Sequence, residues 1–547
     1  MINVLEKYYY IAMFGIILIW MYPQFKRLTY FFHMLQLNEY DQGNYINWNK
    51  EHFSTKVFTI REAILALLFS LLIFVGIKMP GIEVTVGAEI IFIAYLLIAD
   101  YTRKKPEVRK PLVYTMRMKR LVASSFVWNV ILFLMLGYSF QNKYFIEKDI
   151  SLIGILGIIY ILAPIIVYLS NLSMKPVEKM IAKHYFDMAH EKVRSFPELR
   201  IVGITGSYGK TSTKFITGTI LASKYETLVT PSSYNTPMGL SKVINNDLDE
   251  RYEVFVAEMG ARKIGEIEEV AELCNPKIGI LTSVGPAHLE TFGNLENIAK
   301  TKYELIESLP ADGIAIFNYD NEYTRKLADK TYKEKLTYGI DSDDADLYAT
   351  DIKVTETGSS FMMADKFGNK VQCHTRLLGK HNILNLLAGA CAGLAMGMSL
   401  VEIAKGIEKV QPVEHRLQLI NSGNGVLVID DAFNSNPHGA RAALEVLDEF
   451  TTGSKIIVTP GMIELGEFGE EENRKFGEVI AGVCDTVILV GKNQTKPIQN
   501  GLKIANFDEE NLYIVNSLSE ATEIIGKIVR VGDVVLFEND LPDTFAE

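Results

Sequence analysis

The sequence predicts a multi-domain chain built in three parts. An α-helical membrane module of about five spans, with a juxtamembrane helix, fills residues 1–198; an α/β domain built on a phosphate loop fills 199–412; a doubly wound, Rossmann-like α/β domain fills 413–547. Three observations carry this reading. Five apolar runs crowd the front of the chain. From Arg200 a short apolar strand runs into a glycine-rich turn, Lys-Thr and a helical pattern, the order in which backbone N–H groups and a helix N-terminus cradle phosphate. From about Pro412 strands alternate with helices, the pattern of a parallel sheet covered on both faces.

The 547 residues exceed one small domain. With 55 Lys and Arg against 66 Asp and Glu the net charge is -11, which argues against a nucleic-acid partner. Mean hydropathy of +0.12 is high for a soluble protein. Charge is also split: residues 1–198 carry net +7 and the remainder net -18. A basic, apolar front half ahead of an acidic back half fits a membrane anchor joined to a cytosolic domain. Cys274, Cys373, Cys391 and Cys484 lie far apart with no C-x-x-C pair, so they read as buried thiols in a reducing compartment.

The apolar runs are Tyr8–Tyr22, Ala63–Ile77, Val86–Ala99, Leu121–Tyr138 and Leu152–Leu169. The last two approach the roughly 20 residues a bilayer-crossing helix needs, and the first three are shorter. Tyr8, Tyr9, Tyr10, Trp20 and Tyr22 flank the first run as an aromatic belt. Basic residues concentrate between the first and second runs and between the third and fourth, so those loops are read as cytoplasmic. Five spans then put the N-terminus outside and everything after Leu169 in the cytoplasm of a multi-pass protein. Glu89 and Asn129 fall within runs, as an interfacial group or a polar path. Residues 174–195 predict a helix with Val177, Ile181, Tyr185 and Met188 on one stripe, a connector lying on anionic lipid.

The strand Ile201–Thr205 leads into Gly206-Ser207-Tyr208-Gly209-Lys210-Thr211-Ser212. Here Lys210 offers a charge to the β- and γ-phosphates and Thr211 a hydroxyl to Mg²⁺. The spacing departs from the standard loop, because Ile204 stands where a first glycine would. A second strand, Tyr252–Ala257, ends at Glu258, placed as a Mg²⁺ ligand or as a carboxylate at a helix N-terminus. A third, Ile278–Thr282, runs toward His288, a metal or phosphate contact or a structural histidine.

Several separate segments together resemble the Mur ligases, ATP-dependent amide ligases of bacterial cell-wall synthesis. The likeness is nearest to their F-type branch, which joins D-alanyl-D-alanine to UDP-N-acetylmuramoyl-tripeptide. It covers roughly residues 199–535. The segments are Gly-Ile-Thr-Gly-Ser-Tyr-Gly-Lys-Thr-Ser from 203, Glu-Met-Gly-Ala from 258, Gly-Pro-Ala-His-Leu-Glu-Thr-Phe-Gly from 285 and Ile-Ala-Lys-Thr-Lys-Tyr-Glu-Leu from 298. Phe-Asn-Tyr-Asp from 317, Gly-Lys-His-Asn-Ile-Leu-Asn from 379, Asp-Asp-Ala-Phe-Asn-Ser-Asn-Pro from 430 and Gly-Met-Ile-Glu-Leu-Gly-Glu from 461 complete them.

The resemblance implies a P-loop ATPase domain of Mur ligase type followed by the family's C-terminal domain, which rotates onto ATP. It implies ATP held by Gly206, Ser207, Gly209, Lys210, Thr211 and Ser212, by Asn318 at the adenine, and by Arg416, Asp430, Asn434 and Asn436 from the C-terminal domain. Two Mg²⁺ ions follow, on Thr211 and Glu258, and on His288 and Lys302, the last as a carbamylated lysine. Lys210, His288 and Lys302 are then the catalytic set. A carboxylate is a poor electrophile, so ATP converts it to an acyl phosphate, which an amine attacks.

Three departures stand out. The family's UDP-sugar domain has no counterpart; the membrane module takes its place and favours a lipid-linked muramoyl peptide over a UDP-linked one as acceptor, with D-alanyl-D-alanine or another amino acid as amine. The end reads Val534-Val535-Leu536-Phe537-Glu538-Asn539-Asp540 where the F-type branch has Lys-Gly-Ser. Tyr208 and Phe433 stand where Asn and Tyr are usual, changes expected to be mild. The competing readings are a membrane-bound synthase of another envelope polymer such as poly-glutamate, an ATP-driven transporter, and a non-catalytic ATP-binding scaffold.

Overall fold

A computed structural model describes residues 2–78, 82–101, 111–143, 148–231, 234–286, 289–340, 342, 344–355, 358–421, 423, 425–432, 436–463, 465 and 468–539. The chain divides into two compact units, Met1–Ala182 and Lys183–Pro542.

The first unit is helical: α1 Ile2–Leu37, α2 Gln42–Glu51, α3 Ile60–Lys78, α4 Ile82–Tyr101, α5 Met116–Lys143, α6 Lys148–Ile161 and the start of α7 Ala163–Arg194. Each of the first four apolar runs lies within one helix. The fifth does not. Leu152–Leu169 is broken after Ile161, and α6 and α7 meet at 68°. Pro164 is the reason: it lacks an N–H, and its ring opposes the carbonyl of Tyr160 in a continuous helix. Among the described residues only Met116–Tyr138 is by itself long and apolar enough to cross a bilayer, with the bent α6–α7 pair as a second if it is one span.

The core of this unit centres on α6, whose Ile153, Leu156, Ile159 and Tyr160 are buried with Phe31, Phe32 and Leu35 of α1, Phe92 and Leu96 of α4 and Leu121 of α5. Arg27 and Glu62 form a buried ion pair linking α1 to α3. Arg27 Nη2 also donates to Val57 O at 2.8 Å, and Glu62 Oε2 accepts from Thr59 N at 2.9 Å. Asn129 is a helix-packing group: its Oδ1 accepts from Gln24 Nε2 at 2.9 Å and its Nδ2 donates to Ser125 O at 2.6 Å. The side chain of Glu89 lies outside those described.

The second unit carries two sheets. The larger has nine strands in the order β2-β3-β1-β4-β5-β6-β7-β8-β9. Its strands and helices, in chain order, are β1 Arg200–Thr205, α8 Lys210–Leu221, β2 Thr227–Val229, α9 Pro237–Asp247, β3 Val254–Glu258, α10 Glu266–Cys274, β4 Ile278–Leu281, α11 Leu289–Phe292, α12 Leu295–Glu307, β5 Ile314–Asn318, α13 Glu322–Asp329, β6 Lys335–Gly339, β7 Leu347–Thr355, β8 Gly358–Asp365, β9 Lys370–Thr375, α14 Lys380–Ala395 and α15 Leu400–Glu408. Strands β2 to β7 pair in parallel, and β7-β8-β9 extend the edge antiparallel. The central strands are buried on both faces, which is why they read as continuous apolar runs. One face packs on α8, α14 and α15. The other packs on α9, α10, α12 and the end of α7 through Ala189 and Val193. The buried edge of α7 is therefore one position round from the predicted stripe, and Tyr185 and Met188 are exposed.

The second sheet is ordered β10-β11-β15-β12-β13-β14. It is built from β10 Gln418–Asn421, β11 Leu427–Asp431, α16 Pro437–Asp448, β12 Lys455–Thr459, α17 Gly469–Val483, β13 Thr486–Val490, α18 Lys496–Ile504, β14 Leu512–Val515, α19 Leu518–Ile528 and β15 Val534–Glu538. All pairings are parallel except β10–β11. The alternation of strands and helices expected from about Pro412 is present, with the antiparallel β10 at its edge.

Candidate active site

Strand β1 ends at Thr205, and Lys210 opens α8, so residues 206–209 form the turn above the sheet's carboxyl edge, where open parallel sheets bind ligands. Gly209, the N-cap, has φ 80°, and a Cβ there would stand 2.7 Å from Asn385 Oδ1. The turn is laced to the loop after β4. Ser207 N donates to Ser283 O at 2.8 Å, Ser207 Oγ to Gly285 O at 3.0 Å, and Thr282 Oγ1 to Tyr208 O at 2.6 Å. Gly206 is buried in this lacing, and Thr211 and Ser212 sit half-buried in the first turn of α8.

Lys210 Nζ folds back on the turn, donating to Gly206 O at 2.8 Å and Ser207 O at 3.3 Å. Glu258, at the end of β3, is buried; its Oε1 accepts from Asn235 Nδ2 at 3.0 Å, and Oε2 lies 3.3 Å from Lys214 Nζ. Arg416 completes the group from the C-terminal domain. Lys210, Lys214 and Arg416 each feel the Glu258 charge, yet burial holds all three below their usual pKa values. Three desolvated cations around one carboxylate leave the pocket short of negative charge, a polyphosphate's complement.

Lys302, in α12, is only 3% exposed. Burial, then repulsion from Lys210, lowers its pKa to about 7, against the pull of Glu304 and Glu266. Burial therefore favours the neutral amine, the form that reacts with CO₂. Its neighbour is the Phe292 ring, with Nζ 5.7 Å from the centroid. His288 and Asn434 lie outside the described residues. Among the described residues no three His, Cys, Asp or Glu side chains gather for a metal. The buried Glu258 carboxylate and the Thr211 hydroxyl do fit Mg²⁺, which takes one or two protein oxygens and completes its shell with phosphates and water.

Asn318 ends β5, buried, with Oδ1 accepting from Asp320 N at 3.0 Å. In the C-terminal domain, Asp430 Oδ2 meets His415 Nδ1 at 2.8 Å, and Asp431 Oδ1 accepts from Leu417 N at 3.1 Å. His415 and Leu417 have φ of 59° and 46°. Arg416 thus rides between two left-handed residues pinned to the end of β11. Burial pushes the Asp431 carboxyl up to about 6. Asn436 caps α16, its Oδ1 accepting from Gly439 N at 3.0 Å.

Two comparisons of sequence and one of structure bear on this arrangement. Residues 204–393 match the Mur ligase middle domain and residues 415–538 the Mur ligase glutamate ligase domain. A Bacillus subtilis UDP-N-acetylmuramoyl-tripeptide–D-alanyl-D-alanine ligase is 30% identical over 342 residues, 62% of this chain and 72% of that protein. The Escherichia coli enzyme of the same name is 34% identical over 302 residues, 55% of this chain and 66% of that one. The crystal structure of MurF ligase from Thermotoga maritima in complex with ADP superposes with a TM-score of 0.60 at 27% identity, covering 66% of this chain and 81% of that one. The chain belongs to the Mur ligase family.

As a Mur ligase it is an ATP-dependent, ADP-forming enzyme, which decides against the transporter and the scaffold. Sequence reasoning missed several of this Mur ligase's braces. Asn385 Oδ1 accepts from Thr213 Oγ1 at 3.0 Å, and Asn385 Nδ2 donates to Asn382 Oδ1 at 3.3 Å. Their signal was present as Asn-x-x-Asn at helical spacing in the segment from Gly379. Lys214, one helical turn beyond Lys210, and Asp431 also went unassigned.

Proposed function

We propose that this Mur ligase joins the amine of D-alanyl-D-alanine, or of another small amino acid, to the carboxylate of a muramoyl tripeptide at the cytoplasmic face of a membrane. The names of its relatives supply the substrates. The observation that carries the catalytic reading is the gathering of three cations, buried Lys214 and half-buried Lys210 and Arg416, about Glu258 at the phosphate loop. The loop's N–H groups and Lys210 hold the β- and γ-phosphates, Arg416 closes on them from the C-terminal domain, and Asn318 meets the adenine. Asp430, Asn434 and Asn436 complete the nucleotide contacts.

Thr211 and Glu258 would hold one Mg²⁺, and His288 with carbamylated Lys302 a second, which when bound would supply positive charge beside the phosphates. Lys302 is suited to its part because burial leaves it uncharged for a large fraction of the time near pH 7. The γ-phosphoryl passes to the substrate carboxylate, giving an acyl phosphate and ADP. The amine attacks the acyl carbon, loses a proton, and inorganic phosphate leaves.

The bilayer as partner is supported by the first unit's exterior. Phe14, Leu18, Leu67, Ile90, Ile98, Phe126, Leu134 and Ile165 are all at least half exposed around an apolar core. A bundle apolar inside and out is solvated by lipid, not water. We place it as a multi-pass module with the N-terminus outside. The acceptor is read as lipid-linked, since the module stands ahead of the matched residues; the UDP-linked form is the alternative. Sustained ADP release by purified protein tests the ligase reading: beyond one ADP per enzyme from the carboxylate alone, turnover must require carboxylate and amine together, and turnover with either alone would overturn it.

A further inference from the structure

Tyr208 is the side chain of the phosphate loop with no phosphate to grip, since that work belongs to backbone N–H groups and the lysine. Its direction is nevertheless fixed. Tyr208 N donates to Ser283 Oγ at 3.2 Å, and its carbonyl accepts from Thr282 Oγ1 at 2.6 Å. The ring lies against Gly285, where a Cβ would come within 2.5 Å of Tyr208 Cε2. On its other side it stacks on His438, with centroids 5.8 Å apart and planes at 15°. His438 belongs to the first turn of α16, in the C-terminal domain, and that turn is capped by Asn436. The contact therefore runs from the loop after β4, through the phosphate loop, into the domain that brings Arg416.

We propose that Tyr208 and His438 are a positioning pair. Their stack transmits closure of the C-terminal domain to the phosphate loop and to the Gly285–Pro286 segment that leads to His288. Neither ring touches a reacting atom. The pair holds the two domains in register once nucleotide is bound, which lets Arg416 and Lys210 face the same phosphates. The proposal rests on the ligase reading only for the purpose of closure; the domain movement itself can be read without acceptor or amine.

The test uses the full chain in nanodiscs with spin labels at Tyr332→Cys and Val531→Cys, fully and largely exposed positions of the middle and C-terminal domains. The four native cysteines are buried, so labelling is selective. Distances are measured by pulsed electron resonance with and without Mg²⁺ and a non-hydrolysable ATP analogue, whose Kd is titrated on the same samples. In the parent the analogue is expected to narrow the distance distribution. Tyr208→Ala and His438→Ala should each return it to nearly the nucleotide-free width, the double variant no further, with Kd weakened alike in all three by the closure they forfeit. Tyr208→Phe, which keeps the ring, should behave as the parent. Parent-like narrowing in either alanine variant would overturn the proposal. So would a Kd weakened while the narrowing stays intact, which would make the pair a nucleotide contact. If Tyr208→Ala fails to fold, His438→Ala and Tyr208→Asn carry the same comparison.

Discussion

Lys302 shows how one side chain can be poor for stability and necessary for activity. Its pKa of about 7 lies below the ordinary 10.5, so between those values the unfolded chain binds more protons than the folded one. Stability contributed by this site therefore rises with pH across that window and is lowest below pH 7. Lys302→Met should raise Tm at pH 7, by roughly 2–4 °C for each kcal/mol recovered, while abolishing turnover. A calorimetric scan showing a lower Tm would mean the lysine is already compensated. Lys302→Ala should likewise lose turnover by about a thousandfold and regain part of it with added acetate or formate; full activity without rescue would sink the carbamate. Gly209→Ala places a Cβ in a left-handed position 2.7 Å from Asn385 Oδ1. It should weaken ATP binding at least tenfold by titration calorimetry, against little change if the loop can shift. At this scale the sequence placed Glu258 at a strand end, where the structure has it, while Asn318 came only from the resemblance. It was not readable where a contact joins remote segments: Thr213 meets Asn385 across 172 positions, and nothing local marks it.

Among elements, hydropathy located every helix of the first unit's apolar runs but not the bend within the last. The run Leu152–Leu169 has the composition of a span, and composition is blind to geometry; Pro164 was the signal. The central position of α6 follows, because a short helix buried on all sides by protein has no need to match the bilayer's thickness. The buried Arg27–Glu62 pair fixes α1 against α3. Removing one partner strands the other charge, at a cost of about 3–5 kcal/mol. Arg27→Leu should therefore lower the thermal-aggregation midpoint in detergent markedly, and adding Glu62→Leu should restore much of it. An unchanged midpoint for the single variant would show the pair to be water-exposed. In the middle domain β1, β3 and β4 were legible as apolar runs, while β2, β5 and β6 were not read. The antiparallel β7–β9 edge and β10 were not, since alternating, half-exposed strands carry a weaker pattern.

For the whole molecule, the charge split between the two parts of the chain is the feature the sequence exposed most directly, and the basic loops carry the proposed orientation. Introduced cysteines make it measurable, because the native four are buried. In intact cells Pro80→Cys should react with an impermeant maleimide, and Thr55→Cys only after permeabilisation; the reverse pattern would invert the topology and put the catalytic unit away from ATP. The Mur ligase fold, the phosphate loop and the cationic pocket all imply amide formation, and that is the claim to measure first. Purified protein in nanodiscs is given ATP, Mg²⁺ and D-alanyl-D-alanine with either a UDP-linked or an undecaprenyl-linked muramoyl tripeptide, and products are followed by mass spectrometry. The account expects a new amide, with one ADP per bond, from the lipid-linked acceptor. Product from the UDP-linked acceptor alone would reduce the membrane module to an anchor, and no amide from either would contradict the account.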